Sequence, residues 1–461
     1  MTPRIAAAGC IAVILIVGNV WGEGAPPAAE PPTDRPLTLE ESIRIAFQNH
    51  GDIGVAQEQW VGAKQRVIAT RALLFPQIET TFSFQRNNLR RIGQTLTQQG
   101  FVVGSITSHT LTHRYETILS QTIWDMNRTR TLVRQAKAGV LGAEAGIGLA
   151  RTTVAFDVAN AYFEQLRREK LLALAKQQVE QAKKHLEMVQ AQVDAGMAAR
   201  IDLNPVRVEL KQAEFNLVSA ENNARIAATN FRNALGLDRG PALKLEDVPD
   251  EVPSSVGSLE DYIAQALRWR PDLAQVRASV QQAEASLTLA KINARPQASI
   301  TGSYTYGLGD SPTQRQLFLL GSLTIPIFSA GALQADVAEA RANLESNRIR
   351  LRQLTKDVAA NVEAAYSNLV SAVERITAAK ALVESAQENL AAANEKYRLG
   401  VGIALEIVDA QIQFFSAQNS AAEALYDYHI AKANLDRAIG VWAAARGQAQ
   451  LRVRRPVTGD Q

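Results

Sequence analysis

The sequence predicts a mainly α-helical protein with a β-barrel contribution, in which long antiparallel coiled-coil helices and two β-hairpins are internally duplicated. Three observations lead there. The first is self-similarity: TLEESIRIAFQNHGDI at 38–53 matches SLEDYIAQALRWRPDL at 258–273, a shift of 258 − 38 = 220 that also carries Pro76-Gln77 onto Pro296-Gln297. The second is a heptad seam in which Val362, Leu369, Ile376, Val383, Leu390 and Tyr397 recur every seven residues, interleaved with Ala365, Ala372, Ala379, Ala386 and Ala393. Large residues facing alanines let helices approach closely in a left-handed coil. The third is a set of short segments whose apolar residues alternate with polar ones, the period of a strand.

Composition narrows the function. The 461 residues carry 49 Lys+Arg against 46 Asp+Glu, a formal charge of +3, too even for a nucleic-acid footprint. One cysteine excludes a disulfide framework and a zinc site of the Cys-pair type, and five histidines are little material for a metal centre. At the amino terminus, one Arg precedes the apolar run Ile11 to Val17 and small residues follow, so residues 1–22 read as a secretory signal peptide. Ala8-Gly9-Cys10 superficially resembles a lipoprotein acylation site, but the apolar run follows the cysteine instead of preceding it. Residues 23–37 form a Pro-rich linker, and no other stretch is long and apolar enough for a membrane-spanning helix.

The first structural repeat spans 38–240, the Pro-rich linker 241–257 follows, the second repeat spans 258–443, and a basic tail occupies 444–461. Long helices are predicted over about 127–195 and 331–399, each extending roughly 100 Å. The first copy repeats the seam as Val158, Leu172, Val179, Leu186 and Val193. Shorter helices at about 52–75 and 203–235, then 272–295 and 405–439, nearly sum to the long helix and are expected to stack end to end beside it. Gly51 and Pro271 mark matching breaks, and Gly236 and Gly440 matching stops. Between 121–127 and 325–331 the repeat shift falls to 204, so 220 − 204 = 16 residues are extra in the first copy, assigned to a loop between about 87 and 114.

Hairpins are predicted at about 77–124 and 297–328. Ile78, Thr80, Phe82 and Phe84 share one face, as do Ala298, Ile300, Gly302, Tyr304 and Tyr306. The returning strands carry Tyr115, Leu119 and Ile123, then Leu317, Leu319, Leu323 and Ile325. One apolar and one polar face suits a barrel between lipid and water, or else a hairpin packed on a helical core. Four strands are too few to close a barrel, and lipid does not tolerate open edges. A barrel therefore requires an oligomer: two copies supply eight strands, three supply twelve.

LFPQIETTFSF, ARPQASITGSYTY, SLTIPIFSAG, YRLGVGIALEIVDAQ and LDRAIG, in their duplicated order over about 38–443, resemble the TolC family of outer-membrane efflux proteins. The resemblance implies a homotrimer with a 12-stranded barrel in the outer membrane on an α-helical cylinder in the periplasm. It also implies a passive export duct for a tripartite efflux or type I secretion system. Its implied partners are a periplasmic adaptor (membrane fusion) protein and an energised inner-membrane pump of the RND or ABC type. Segments 196–205 and 400–409 then form the periplasmic tip. Glu406 and Asp409 match the family's constriction carboxylates, and their i, i+3 spacing puts both on one helix face. Three chains give two acidic rings favouring cations, although acids in a first helical turn also offset the macrodipole. Asp202 resembles a closed-state pairing residue, with N-capping as its other reading. Tyr397 matches a family tip residue and also ends the seam. The family's arginine partner falls on Gly402, which leaves Arg200 or Arg398 as substitutes.

Phe82, Phe84, Trp124, Tyr304 and Tyr306 form either an interfacial aromatic girdle or core packing. His109-x-x-x-His113 has helical ligand spacing, yet lies in the loop and strand where such residues do not converge, so no metal is expected. Gly139, Gly142, Gly146 and Gly148 serve close helix packing, since no strand-to-helix turn precedes them. No catalytic constellation and no cofactor motif stands out. The competing class is an exported periplasmic coiled-coil scaffold or tether without a pore. A periplasmic adaptor would need a lipoyl-like β domain, which the sequence does not show.

Overall fold

The computed structural model describes residues 35–97, 100–197, 199–249, 257–309, 314–399 and 401–443. The signal peptide, most of the 23–37 linker and the tail lie outside these residues. The first half contains α1 (Leu39–Asn49), α2 (Gly51–Ala72), β1 (Gln77–Thr97), β2 (Gly100–Trp124), α3 (Arg128–Asp194) and α4 (Leu203–Ala234). The second half repeats the order with α5 (Leu259–Trp269), α6 (Pro271–Ile292), β3 (Gln297–Gly309), β4 (Gln314–Thr324), α7 (Ala332–Arg398) and α8 (Ala404–Ile439).

Local chemistry sets the helix ends. Thr38 opens α1 with a capping box: its hydroxyl accepts from the Glu41 N–H at 3.2 Å, while the Glu41 carboxylate accepts the Thr38 N–H. His50 breaks α1 from α2, its backbone extended at ψ 125° and its Nδ1 accepting the Asp52 N–H. In the second half Arg270 is extended at ψ 123°, and Pro271 begins α6, where its missing N–H costs no hydrogen bond. Gly236 takes φ +70° and Gly440 φ +85°. An added Cβ on Gly236 would meet the Asn49 carbonyl and His50 Cα at 3.0 Å, and one on Gly440 the Arg270 Cα at 3.2 Å. Each stop therefore docks on the break of its own repeat.

Helices α2 and α4 pack along α3, and α6 and α8 along α7. Because α3 and α7 have 67 residues each, about 100 Å of helix results. The seam is buried at Val358, Val362, Ala365, Leu369, Ala372, Ile376 and Ala379 in α7 and at Val154, Val158 and Val179 in α3, whereas Leu172, Leu186, Val193, Val383, Leu390 and Tyr397 are half-buried. Helix α3 also meets α6 and α8, tying the halves together. Gly142 approaches the Ala278 side chain and Gly148 that of Pro271, close enough that added Cβ atoms would sit at 3.5 and 3.1 Å. Gly146 faces open space, so close packing does not account for it.

One linker belongs to the core. Leu37 forms a parallel bridge with Leu245, donating its N–H to the Lys244 carbonyl and accepting from the Glu246 N–H. Leu37 and Leu243 pack with Val158, Tyr162 and Phe231. The Tyr162 hydroxyl lies 3.0 Å from the Leu37 carbonyl and 2.6 Å from that of Glu246, and burial pushes its pKa well above the phenol range. Residues 241–249, expected as a connector, thus pin the waist of the helical assembly.

The strands form one antiparallel sheet in the order β1-β2-β3-β4. The 16 extra residues are not a loop: β1 and β2 stay paired from Gln77↔Ser120 to Thr97↔Gly100, so the insertion lengthens a hairpin. The apolar residues of that extension, among them Leu89, Ile92, Leu96, Phe101, Val102 and Ile106, fall at positions of both faces, so no clean alternation marks it. The second hairpin is shorter than expected, since β4 ends at Thr324. Ile327 and Phe328 beyond it are 93% and 89% exposed.

Candidate gate and membrane-facing surface

Register places the apolar positions on one face of the sheet. The row Ile78–Leu119–Gly302–Leu319 is followed by Thr80–Thr117–Tyr304–Leu317, then by Phe82–Tyr115–Tyr306–Arg315. A register shift between Thr122 and Trp124 skips Ile123 and sets Trp124 opposite Ala298. This bulge turns the tryptophan, instead of the expected Ile123, onto the apolar face. Over the same rows the opposite face carries Glu79, Thr81, Ser83, Glu116, Thr301, Ser303 and Thr305, among which Ile118, Phe318 and Leu320 are apolar. From Ala298 to Leu308, ten residues at about 3.4 Å each and a tilt of about 40° give roughly 26 Å of height, near the ~25 Å apolar band of a membrane barrel.

The five aromatics expected as a girdle lie on that face, but at two levels. Phe82 and Tyr306 share a row with Tyr115, Phe84 stands one row beyond and Tyr304 one row before, whereas Trp124 lies at the end nearest the helices. Ring centroids are 4.7 Å apart for Phe82–Tyr115 and 6.3 Å for Tyr115–Tyr306. Phe82, Phe84, Trp124 and Tyr304 are exposed, so they are not core aromatics of this chain. The Phe84 ring is tilted against that of His113, with centroids 5.2 Å apart. His113 and His109 both lie in β2; among the described residues no group of His, Cys, Asp and Glu is placed to hold a metal.

At the other end, the long helices turn back. Helix α3 closes in a Schellman motif, Gly196 at φ +73° and the Met197 N–H donating to the Gln192 carbonyl at 2.8 Å. Helix α7 closes similarly, the Val401 and Gly402 N–H groups both donating to the Lys396 carbonyl. An added Cβ on Gly402 would stand 3.1 Å from the Lys396 Cβ and the Tyr397 nitrogen. A side chain at this position would therefore have to displace the end of α7.

Tyr397 joins the two hairpins. Its ring packs with Ala393, Ile407 and Ala410, and its hydroxyl donates to Gln192 Oε1 on α3. Burial and the nearby Asp202 raise its pKa, keeping the phenol protonated as a donor. Asp202 does not cap α4; its carboxylate accepts the Ala199 N–H at 3.1 Å and closes a short 3₁₀ turn, Arg200–Asp202. Arg398 pairs with Glu395 on its own helix at 2.6 Å, while Arg200 is exposed without an ion-pair partner among the described residues. Glu406 and Asp409 share the exposed face of the first turns of α8, opposite buried Ile407, Val408 and Ala410. Neither carboxylate has a side-chain partner among the described residues.

Two contacts were not foreseen. His185 Nδ1 lies 3.1 Å from Glu209 Oε2 between α3 and α4, the side chains only 2% and 5% exposed. The positions stand 12 residues either side of Met197 (197 − 185 and 209 − 197), so antiparallel pairing about the tip would have found them. Asp427 on α8 meets Arg167 of α3 at 3.1 Å and Arg375 of α7 at 3.8 Å, an ionic node between the repeats.

Long paired helices bearing a two-faced sheet with open edges define a channel-type subunit of the outer membrane. The chain belongs to the outer membrane efflux protein family: that family's model matches residues 43–237 and 262–441, in both repeats. It is an outer-membrane efflux channel with its helical part in the periplasm. Over 336 residues it is 26% identical to outer membrane protein TolC of Escherichia coli (strain K12), covering 70% of this chain and 68% of that protein. Over 432 residues it is 23% identical to the probable efflux pump outer membrane protein TtgC of Pseudomonas putida, covering 89% and 84%. The fold is similar to that of the Campylobacter jejuni CmeC outer membrane channel, with TM-score 0.72 at 17% identity over 92% of this chain and 94% of that one.

Proposed function

We propose that three copies close their sheets into one 12-stranded barrel and form the passive exit duct of a tripartite efflux or type I secretion machine. The observation that carries this reading is the sheet itself. It has one apolar face of membrane height and two unpaired edges, β1 and β4, which a bilayer does not accept open. Helix α4 supports it, since Val208, Phe215 and Val218 are exposed at coiled-coil spacing and await a neighbouring copy. The duct itself does no chemistry; a periplasmic adaptor and an inner-membrane pump supply cargo and energy. Tyr397 with Gln192 forms the latch of the resting tip, and Glu406 and Asp409 line its mouth as two rings of carboxylates.

Conductance tests this. Detergent-extracted protein added to a planar bilayer should open discrete, long-lived channels. Bilayers that stay silent, with protein that remains dispersed without detergent, would place the chain among pore-less scaffolds.

A further inference from the structure

The apolar face of the sheet bears no acidic residue along its described rows, and its arginine positions, Arg86, Arg90 and Arg315, all lie at the end away from the helices. Arg86 lies on β1, one row beyond Phe84, and Arg315 lies on β4 in the row of Phe82, Tyr115 and Tyr306. Both side chains are exposed. The Arg315 guanidinium sits over the Tyr306 ring, 5.5 Å from its centroid, which steers the stem along the sheet and leaves its N–H groups free. Neither arginine has an ion-pair partner among the described residues. Arg114, by contrast, lies on the polar face.

An arginine on a lipid-facing surface is costly at mid-membrane and tolerated at the interface. Here both stand at the aromatic level that marks the outer interface. Closing the sheet between copies brings β4 of one chain beside β1 of the next, because these are its two open edges. Arg315 and a neighbouring copy's Arg86 then flank one seam, three times around the barrel. We propose that these arginines form a binding site for the phosphate groups of a phosphorylated lipid in the outer leaflet. Guanidinium forks match phosphate oxygens with paired, charge-assisted hydrogen bonds, and the surrounding Tyr306, Phe82 and Phe84 accept the acyl shoulder. This inference rests on the closed-barrel reading.

The test is native mass spectrometry of the full-length channel in detergent, titrated with diphosphoryl lipid A and with the same lipid dephosphorylated. The three-copy complex should gain the phosphorylated lipid preferentially. Binding should weaken roughly fivefold in Arg315→Gln or Arg86→Gln and roughly 25-fold in the double variant. Arg114→Gln should bind as the parent does, and Arg315→Lys should retain part of the affinity, which separates charge loss from misfolding. A trimer indifferent to the phosphates, or unchanged in the double variant, overturns the lipid site alone. A single-chain mass overturns the seam and the closed barrel together.

Discussion

The proposed latch at the tip should open when a single oxygen atom is removed. Tyr397→Phe keeps the ring against Ala393, Ile407 and Ala410 and removes only the hydroxyl that donates to Gln192. A neutral, partly exposed hydrogen bond contributes about 1 kcal/mol, so each protomer loses about that much preference for the closed tip. If three copies open together, the sum is about 3 kcal/mol, a shift of roughly 150-fold in the closed-to-open ratio. Single-channel recording reads that ratio directly as dwell times. Gln192→Leu should give the same shift, and the double variant no more than either single one, since both remove one bond. Because the acceptor is an amide and the donor a phenol held above its ordinary pKa, wild-type latching should not change between about pH 5 and pH 8. Wild-type dwell times in both hydroxyl-directed variants, together with opening by Ile407→Ala, would refute the latch and assign closure to packing.

Three further outcomes follow from the same geometry. Replacing Glu406→Gln and Asp409→Asn together should reduce the cation preference of the reversal potential; unchanged selectivity would return both acids to offsetting the α8 dipole. Glu209→Ala leaves the buried His185 Nδ1 without its partner and should cost about 1–3 kcal/mol, whereas Glu209→Leu with His185→Leu should cost less than the sum of its parts in a thermal melt. Burial raises Asp436 to about pH 6, against the opposing pull of Lys432. A carboxyl raised in the folded state stabilises it below the unfolded pKa and loses that contribution as pH climbs through 6. Asp436→Asn should therefore raise the melting temperature above pH 6, with a gain of at most about 3 kcal/mol per chain that fades toward pH 4.

Much of the architecture could be read from residue spacing. The expected helices at 127–195 and 331–399 differ by a residue at each end from Arg128–Asp194 and Ala332–Arg398. A heptad sustained from Val362 to Tyr397, with alanines interleaved, admits few other structures. The extension of the first hairpin is illegible because its apolar residues, such as Leu89, Ile92, Val102 and Val103, fall at positions of both faces and do not alternate cleanly. The bulge at Trp124 was illegible for a related reason: a slip of one residue depends on cross-strand register, which local alternation does not encode. At the tip, the family pattern led to Tyr397, Glu406 and Asp409 but not to Gln192, the phenol's partner. Gln192 lies one residue from the repeat-related position of Tyr397 (397 − 204 = 193), so the duplication itself contained the hint. The embedded Leu37 and Leu243 were hidden by prolines, which read as linker although their neighbours fill the core.

The most direct measurement is a subunit count on the detergent-extracted complex by electron microscopy, with the lumen viewed down its axis. The expected result is three chains around one continuous opening, with every β1 edge paired to a neighbouring β4. Single chains, or an assembly whose sheets remain open and enclose no passage, would contradict it.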